Sequence, residues 1–191
     1  MNDILTPDEV RALIAATPSR SATGRRNRAL IVALYRGGLR LSEALALLPE
    51  DVDVEEGVLS IAGRSVTSRR RIGLDPQSRE VLAAWAVDRE DLGLRDEQPF
   101  FSTLRGEPIK DAYVRALLPR LAAAAGLAKR VHASGLRASH ALELAGEGFP
   151  LRVVQEHLGI ESLAAAQRYL ERYRPVDPVR AIQSRDWAID A

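Results

Sequence analysis

Residues 134–159 read SGLRASHALELAGEGFPLRVVQEHLG, and residues 161–173 continue as ESLAAAQRYLERY. Apolar residues recur at helical spacing within each run, and Pro150 and Gly159 interrupt the pattern. Because proline and glycine commonly begin or end helices, this stretch predicts a series of short helices. Tyr169 lies in the last of them, and an ordinary amphipathic helix would place its ring on the core and its hydroxyl at the surface.

Helices are predicted before this stretch as well. Thr6, followed by Pro7 and Glu9, forms the pattern of a capping box at a helix start. The run NRALIVALYRGG at 27–38 reads as a more buried helix that two glycines end. Further helical runs begin near residues 41, 75 and 111.

The helical period breaks once, in the first half of the chain. Two β-rich runs, Val58 to Ile61 and Arg71 to Leu74, flank a polar tip that carries arginine. This is the pattern of a hairpin with a long loop. The predicted fold class is therefore mostly α with a small antiparallel β-sheet, and residues 1–191 are expected to form a single domain.

The composition excludes several classes of function. The chain has 191 residues, of which 46% are hydrophobic and 28% charged, as in ordinary globular proteins. It has no cysteine, which rules out disulfides, thiolate metal sites and cysteine nucleophiles. Three histidines without an H-E-x-x-H pattern leave little scope for a metal, so neither metal nor cofactor is expected. No apolar leader or membrane-length run occurs, and we expect a cytoplasmic protein with no membrane partner.

Arginines are clustered although the net charge is only +1. One cluster is GRRNR at 24–28, and the second lies in the predicted hairpin. Its members, which are candidate DNA-backbone contacts, are Arg64, Arg69, Arg70 and Arg71. Arginine binds phosphate in a bidentate manner, so the clusters could track a nucleic-acid backbone. A coding bias towards arginine, or a solvated turn, explains either cluster equally well.

Two arginines follow glycine at predicted helix starts: Arg40 in GGLRLSEAL and Arg137 in SGLRASHAL. Guanidinium groups presented at helix N-termini can hold one phosphate between them. A tyrosine such as Tyr169 could then attack a phosphodiester and form a covalent intermediate while the arginines stabilise the developing charge. A surface salt bridge between Arg40 and Glu43 is the plainer alternative.

Four segments, in their order and spacing, resemble the catalytic domain of tyrosine-type site-specific recombinases, the phage integrase family that includes the Xer proteins. They are GGLRLSEAL, FFSTLRGEPI, SGLRASHALELAGEGFPLRVVQEHLG and the segment around Tyr169. The resemblance covers roughly residues 6–175. It implies a mostly α fold with a three-stranded sheet, and cleavage and rejoining of double-stranded DNA through a 3′-phosphotyrosyl intermediate.

The resemblance also implies roles for single residues. Arg40 and Arg137 match the two arginines that bind the scissile phosphate, and Glu43 matches the acid that supports the first of them. Tyr169 matches the nucleophile, whereas Tyr173, one helical turn later, fits the spacing less well.

Three positions depart from the family pattern. Arg64 stands where the family has a lysine that protonates the leaving oxygen, and it can offset charge but donates a proton poorly. Ser134 and Ile160 replace the two later family positions, a histidine and a histidine or tryptophan. The histidines that could substitute as proton carriers are His132, His140 and His157.

The expected partners follow from the same resemblance. Double-stranded DNA is the substrate, a homo-oligomer would assemble on it, and an accessory recombinase could take part. Residues 175–191, with Trp187, would pack on a neighbouring protomer, and the chain carries no N-terminal core-binding domain. The alternatives are a catalytically degenerate DNA-binding or regulatory relative and, from another class, a helical protein-interaction module.

Overall fold

The computed structural model describes residues 3–62 and 69–174, together with Val179 and Gln183. Eight α-helices and three strands occur in this part of the chain. The helices are α1 Pro7–Ala15, α2 Ala22–Tyr35, α3 Leu41–Ala46, α4 Pro76–Asp91, α5 Asp111–Ala124, α6 Ala133–Gly146, α7 Leu151–Leu158 and α8 Leu163–Tyr173. The strands are β1 Val52–Asp53, β2 Val58–Ile61 and β3 Arg70–Gly73. The mostly α fold class with a small antiparallel sheet is confirmed.

The helix starts use the caps that the sequence predicts. Thr6 accepts a hydrogen bond from the backbone N–H of Glu9, whose side chain accepts one from the Thr6 N–H, which completes a capping box. Asp75 caps α4 through the N–H of Ser78. These local bonds satisfy the first backbone donors of each helix, which explains why the sequence locates them well.

The sheet is antiparallel in the order β1-β2-β3. Strand β2 has the predicted bounds, while β3 begins one residue earlier than predicted, and β1 is a two-residue strand that the pattern did not indicate. Alternation along β3 turns Arg70 and Ile72 inwards and Arg71 outwards. The tip of the hairpin, which includes Arg64, lies outside the described residues.

The core centres on α2, most of which is buried, and α2 packs chiefly against α4 and α6, with further contacts to α3 and α1. Two members of the first arginine cluster make contacts within the fold. Arg25 pairs with Asp88, and the buried Arg26 donates to the carbonyl of Ser102 and to the hydroxyl of Tyr113. Buried guanidinium groups need such partners, so this cluster ties α2 to its neighbours.

A second, smaller apolar cluster joins α6, α7 and α8. Ala141, Leu144, Val154 and Leu158 form its buried centre, and the ring of Tyr169 packs against it. This packing holds the last helix beside α6. Among the described residues, no helix is both long and apolar enough to cross a membrane.

Candidate active site

An open cleft of about 1420 Å³ lies between the sheet and the helices α3, α5, α6 and α8. It gathers side chains that are far apart in sequence. Those that the sequence analysis singled out are Arg40, Glu43, Arg69, Arg70, His132, Ser134, Arg137, Ile160, Tyr169 and Tyr173. The phosphate-binding candidates and the candidate nucleophile therefore share one solvent-accessible space.

Arg40 lies at the mouth of the cleft, directly before α3. Its backbone N–H donates to Glu43 Oε2 over 2.8 Å, and its Nη1 donates to Glu43 Oε1 over 2.7 Å. The side chain of Arg40 is nevertheless 51% exposed, against 13% for Glu43. The salt bridge expected as the plainer alternative exists, and it orients a guanidinium that still faces the cleft.

Arg137 projects from the first turns of α6 and is 5% exposed. Its guanidinium donates to the carbonyl of Gly38, and its Nη2 donates to the carbonyl of Leu158 over 2.6 Å. Gly38 has a φ of +57°, and a Cβ there would lie 2.7 Å from Leu158 Cδ2, so glycine permits this close approach. Burial, followed by the charge of Arg40, lowers the pKa of Arg137.

Arg70 differs from the expected exposed phosphate contact. Its two Nη atoms donate to the two oxygens of Glu43 over 2.9 and 2.8 Å, and its Nε donates to the carbonyl of His157 over 3.2 Å. The side chain is only 17% exposed. A bidentate pair of this kind fixes orientation, so Arg70 joins β3 to α3 and α7.

Glu43 is the common acceptor of the site. It bonds Arg40 and Arg70, and its Oε2 lies 3.8 Å from Nη1 of Arg137. Burial alone would raise the pKa of its carboxyl, but the hydrogen bonds from Arg70 and Arg40 outweigh burial and lower the pKa to about 2. Glu43 is therefore ionised across the physiological range and holds the arginines in place.

Tyr169 is half-buried on α8, and its ring meets that of Tyr173 edge to face with centroids 5.4 Å apart. Burial raises the pKa of the Tyr169 phenol, while the charges of Arg137 and Arg40 act in the opposite direction. The phenol is protonated at neutral pH, so a nucleophilic attack by it requires a proton acceptor.

His132 lines the cleft and also caps α6. Its Nδ1 accepts a hydrogen bond from the N–H of Gly135 over 2.9 Å and lies 2.8 Å from the hydroxyl of Ser134. Its Nε2 lies 3.2 Å from Asp3 Oδ2. The structure thus brings His132 beside the residue that stands at the position of the family histidine.

His140 does not line the cleft, contrary to expectation. It is 2% exposed, its Nε2 lies 3.0 Å from Nε2 of His157, and its Nδ1 lies 3.7 Å from Glu143. The ring of His140 packs against the rings of Tyr35 and His157, with centroids 5.8 and 5.0 Å away, and these contacts hold it outside the cleft lining. Its proposed role as a proton carrier at the phosphate loses its geometric basis.

The remaining arginines of the hairpin differ in exposure. Arg69 has a 60% exposed side chain that lines the cleft and lies 3.9 Å from Asp51, and Arg71 is exposed. Two further arginines, Arg115 and Arg130, line the opposite wall and were not among the predicted site residues. No local pattern marks these two, because only the packing of α5 and the preceding loop of α6 brings them to the cleft.

Sequence comparison places this chain among known proteins. A sequence model described as the phage integrase family matches residues 3–174. The tyrosine recombinase XerC of Thermodesulfovibrio yellowstonii is 32% identical over 170 residues, covering 86% of this chain and 56% of the relative. XerC of Xanthomonas axonopodis pv. citri is 35% identical over 169 residues, covering 87% of this chain and 53% of the relative. The chain spans little more than half the length of these curated relatives.

Solved structures show the same fold. The crystal structure of XerA recombinase matches with a TM-score of 0.81 at 23% identity, over 97% of this chain and 66% of that one. The XerH site-specific recombinase, in a post-cleavage complex with its palindromic difH substrate, matches with a TM-score of 0.77 at 27% identity, over 95% of this chain and 52% of that one.

Proposed function

This chain belongs to the phage integrase family, and on that premise we propose that it is the catalytic domain of a tyrosine-type site-specific recombinase. The family match confirms the resemblance inferred from the four sequence segments. Its proposed substrate is double-stranded DNA, which is cleaved and rejoined. The XerH relative, whose structure contains its DNA substrate, supports this substrate class.

One observation carries the proposal: Arg40, Arg137 and Tyr169, from three different helices, meet in one cleft. In the proposed reaction the two guanidinium groups bind the non-bridging oxygens of the scissile phosphate. The hydroxyl oxygen of Tyr169 bonds to phosphorus, the bond to the 5′ oxygen breaks, and a 3′-phosphotyrosyl intermediate results. Attack by a 5′ hydroxyl reverses the step and rejoins the strand.

Glu43 and Arg70 support this chemistry without contacting the DNA. Ionised Glu43 fixes Arg40 and lies close to Arg137, so both guanidinium groups are oriented before substrate binds. Preorganised charges of this kind stabilise a transition state because they need no rearrangement as negative charge develops. Arg64, at the hairpin tip, is proposed to offset charge near the leaving oxygen.

Exposed arginines around the cleft supply the proposed contacts to the DNA backbone. Arg69 and Arg71 are the members of the hairpin cluster in this role, together with Arg115 and Arg130 on the opposite wall. We propose that the protein acts in the cytoplasm as a homo-oligomer on DNA, with an accessory recombinase as a further partner. Residues 175–191 are proposed to pack on a neighbouring protomer.

The proposed function is tested by covalent capture. Duplexes with a randomised site are nicked so that cleavage releases a short strand and cannot reverse, and they are incubated with wild type, Tyr169→Phe and Tyr173→Phe. Protein–DNA adducts are then resolved on a denaturing gel. We expect an adduct from wild type and from Tyr173→Phe but none from Tyr169→Phe. An adduct that persists in Tyr169→Phe would reject Tyr169 as the nucleophile.

A second candidate function is a DNA-binding relative that no longer cleaves. Three substitutions favour it, because Arg64, Ser134 and Ile160 stand at positions where the family carries proton-transfer groups. Loss of such groups costs about 10²–10⁴-fold in rate while sparing DNA binding. Equal gel shifts by wild type and Tyr169→Phe without any adduct would identify this function. The absence of any shift would favour a protein-interaction module.

A further inference from the structure

The reaction proposed above requires a group that accepts the phenolic proton of Tyr169. Arg40 and Arg137 cannot accept it, because guanidinium groups remain protonated in proteins. Glu43 is already the acceptor of two arginines. The other carboxylates of the cleft wall are Asp111, which lies 3.6 Å from Arg115, and Glu161.

Ser134, on the wall of the same cleft, is a candidate to receive this proton. It precedes Arg137 by three residues on α6, so the two side chains lie on neighbouring positions of one helix face. Ser134 is exposed and lines the cleft with Arg137 and Tyr169. A serine hydroxyl is a weak base, and it can pass a proton only if a stronger base lies behind it.

His132 is that base, and its hydrogen bonds determine its tautomer. Because Nδ1 accepts a hydrogen bond from the N–H of Gly135, this nitrogen carries no proton, and the proton lies on Nε2, which faces Asp3. Ser134 must then donate its own hydrogen to Nδ1 over their 2.8 Å separation. Its oxygen keeps lone pairs that can accept from Tyr169.

Asp3 is held in place although it lies before the first helix. The N–H of Leu5 donates to the hydroxyl of Ser139 over 2.8 Å, and Lys129 donates to the carbonyl of Ile4 over 2.8 Å. A Cβ at Gly135 would lie 3.1 Å from the Asp3 carbonyl oxygen, so glycine lets this segment lie against α6. The carboxylate is thus positioned to stabilise a positive imidazolium.

From this geometry we infer that Ser134, backed by His132 and Asp3, accepts the proton of Tyr169. The inference rests on the proposed recombinase function. As the Tyr169 oxygen bonds to phosphorus, its proton moves to the Ser134 oxygen, and the Ser134 proton moves to Nδ1 of His132, which then no longer accepts a hydrogen bond from the N–H of Gly135. The leaving 5′ oxygen takes a proton from water. Ser134 is the catalytic residue in this step, while His132 and Asp3 act through it.

His132 could instead serve only as the cap of α6, and a matched variant separates the two roles. Asparagine is among the best N-cap residues but cannot take up a proton at neutral pH. His132→Asn therefore keeps the cap and removes the base. Ser134→Ala keeps the helix, because alanine is the most favourable helix residue.

The experiment uses a nicked duplex whose sequence is one that wild type cleaved in the covalent-capture experiment. Adduct formation by wild type, Ser134→Ala, His132→Asn and Asp3→Asn is timed, with Glu161→Gln as the control for the competing carboxylate. A second duplex carries sulfur in place of the bridging 5′ oxygen at the cleavage position. A thiolate leaves without protonation, so this duplex removes any need for an acid at the leaving group.

We expect Ser134→Ala and His132→Asn to cleave about 10²-fold more slowly than wild type on both duplexes, with unchanged gel shifts. Asp3→Asn should show a smaller loss, and Glu161→Gln none.

Several outcomes would overturn the inference. Wild-type rates in Ser134→Ala would reject it while leaving the recombinase function intact. Full rescue of Ser134→Ala by the sulfur duplex would assign Ser134 to the leaving oxygen instead of to Tyr169. A large loss in Glu161→Gln alone would make that carboxylate the base. Absence of any wild-type adduct would reject the proposed function, and this inference would fall with it.

Discussion

Two polar clusters share helix α6, and their charges are balanced differently. The cleft cluster is Arg40, Glu43, Arg70 and Arg137. The second cluster, called the buried cluster after its buried rings Tyr35 and His140, also contains Glu143, His157 and the partly exposed pair Arg36 and Asp75. In the cleft cluster three guanidinium groups surround one carboxylate, which leaves excess positive charge beside the cleft. In the buried cluster one guanidinium lies between two carboxylates.

The contacts of the buried cluster are directed inwards. Glu143 accepts from the hydroxyl of Tyr35 over 2.7 Å and from Arg36 over 2.9 Å, and Arg36 also reaches Asp75, the cap of α4. Burial, followed by the hydrogen bond to Glu143, raises the pKa of Tyr35. Charged groups that pair with one another within the fold stabilise it, whereas excess positive charge at a cleft attracts an anion.

The largest expected effect concerns Arg137, the most buried guanidinium of the cleft cluster. In Arg137→Lys a single ammonium replaces the planar fork, and its tetrahedral donors do not reproduce the fixed in-plane geometry that lets Arg137 bond two carbonyls and bind a phosphate. We expect cleavage of the nicked duplex to fall by about 10²–10³-fold, as for loss of one transition-state donor. Arg36→Lys, in the buried cluster, is the control, and an equal loss in both variants would remove the distinction between the clusters.

A second prediction concerns acid stability in the cleft cluster. The pKa of Glu43 is about 2 in the folded protein, below its ordinary value of 4.5. The ionised carboxylate therefore contributes about 3 kcal/mol, fully present above pH 4.5 and lost as pH falls to 2. Urea unfolding should show Glu43→Gln less stable by this amount at pH 7, with the gap closing near pH 2. If the difference in the free energy of unfolding between wild type and Glu43→Gln stayed constant with pH, the ionised Glu43 carboxylate would not be its source.

The buried cluster should titrate in a different window. Burial, followed by the charge of His140, lowers the pKa of His157 from 6.5 to about 4. Its neutral ring stabilises the fold above pH 6.5, and this contribution is lost as pH falls to 4. We expect wild type to lose about 2 kcal/mol over that window in urea unfolding. Glu43→Gln should retain this loss and His157→Gln should lack it. If all three proteins lost the same stability between pH 6.5 and 4, the loss would come from a group other than His157.

The smallest expected effect is at Arg71, whose side chain points away from the core. Arg71→Ala should change the free energy of unfolding by less than about 0.5 kcal/mol. If Arg71 contacts one phosphate, the slope of log affinity against log salt should fall by roughly 0.9 in gel shifts. Arg70→Ala should instead lower the free energy of unfolding, because it removes the bidentate pair with Glu43. If Arg71→Ala also unfolded at a lower urea concentration than wild type, Arg71 would stabilise the fold as Arg70 does.

Much of the fold could be predicted because its signals are local. The capping box at Thr6 and the cap at Asp75 act within one helical turn, and the strand Val58–Ile61 follows from its apolar residues. The third strand of the sheet, β1, was expected only from the family resemblance, because a strand of two residues has no period to detect. It forms only because β2 offers it hydrogen bonds.

The candidate site was predicted only in part. The glycine-arginine motifs and their spacing indicated Arg40, Arg137 and Tyr169, and the three do share a cleft. Position along the chain did not distinguish Arg70 from Arg71, because strand alternation and the presence of Glu43 opposite Arg70 decide which side chain is paired. The position of His140 outside the cleft lining was not predictable for the same reason, since its orientation depends on Tyr35 and His157.

The sequence by itself therefore determined the helices, the hairpin, the family and the candidate nucleophile, because capping, periodicity and motif spacing are properties of neighbouring residues. Only the tertiary structure decided which charged groups face the cleft and which are neutralised inside. Arg137 is held by carbonyls of Gly38 and Leu158, and His132 faces Asp3 across more than a hundred residues of chain. Such contacts arise from the packing of whole helices, which no local pattern encodes.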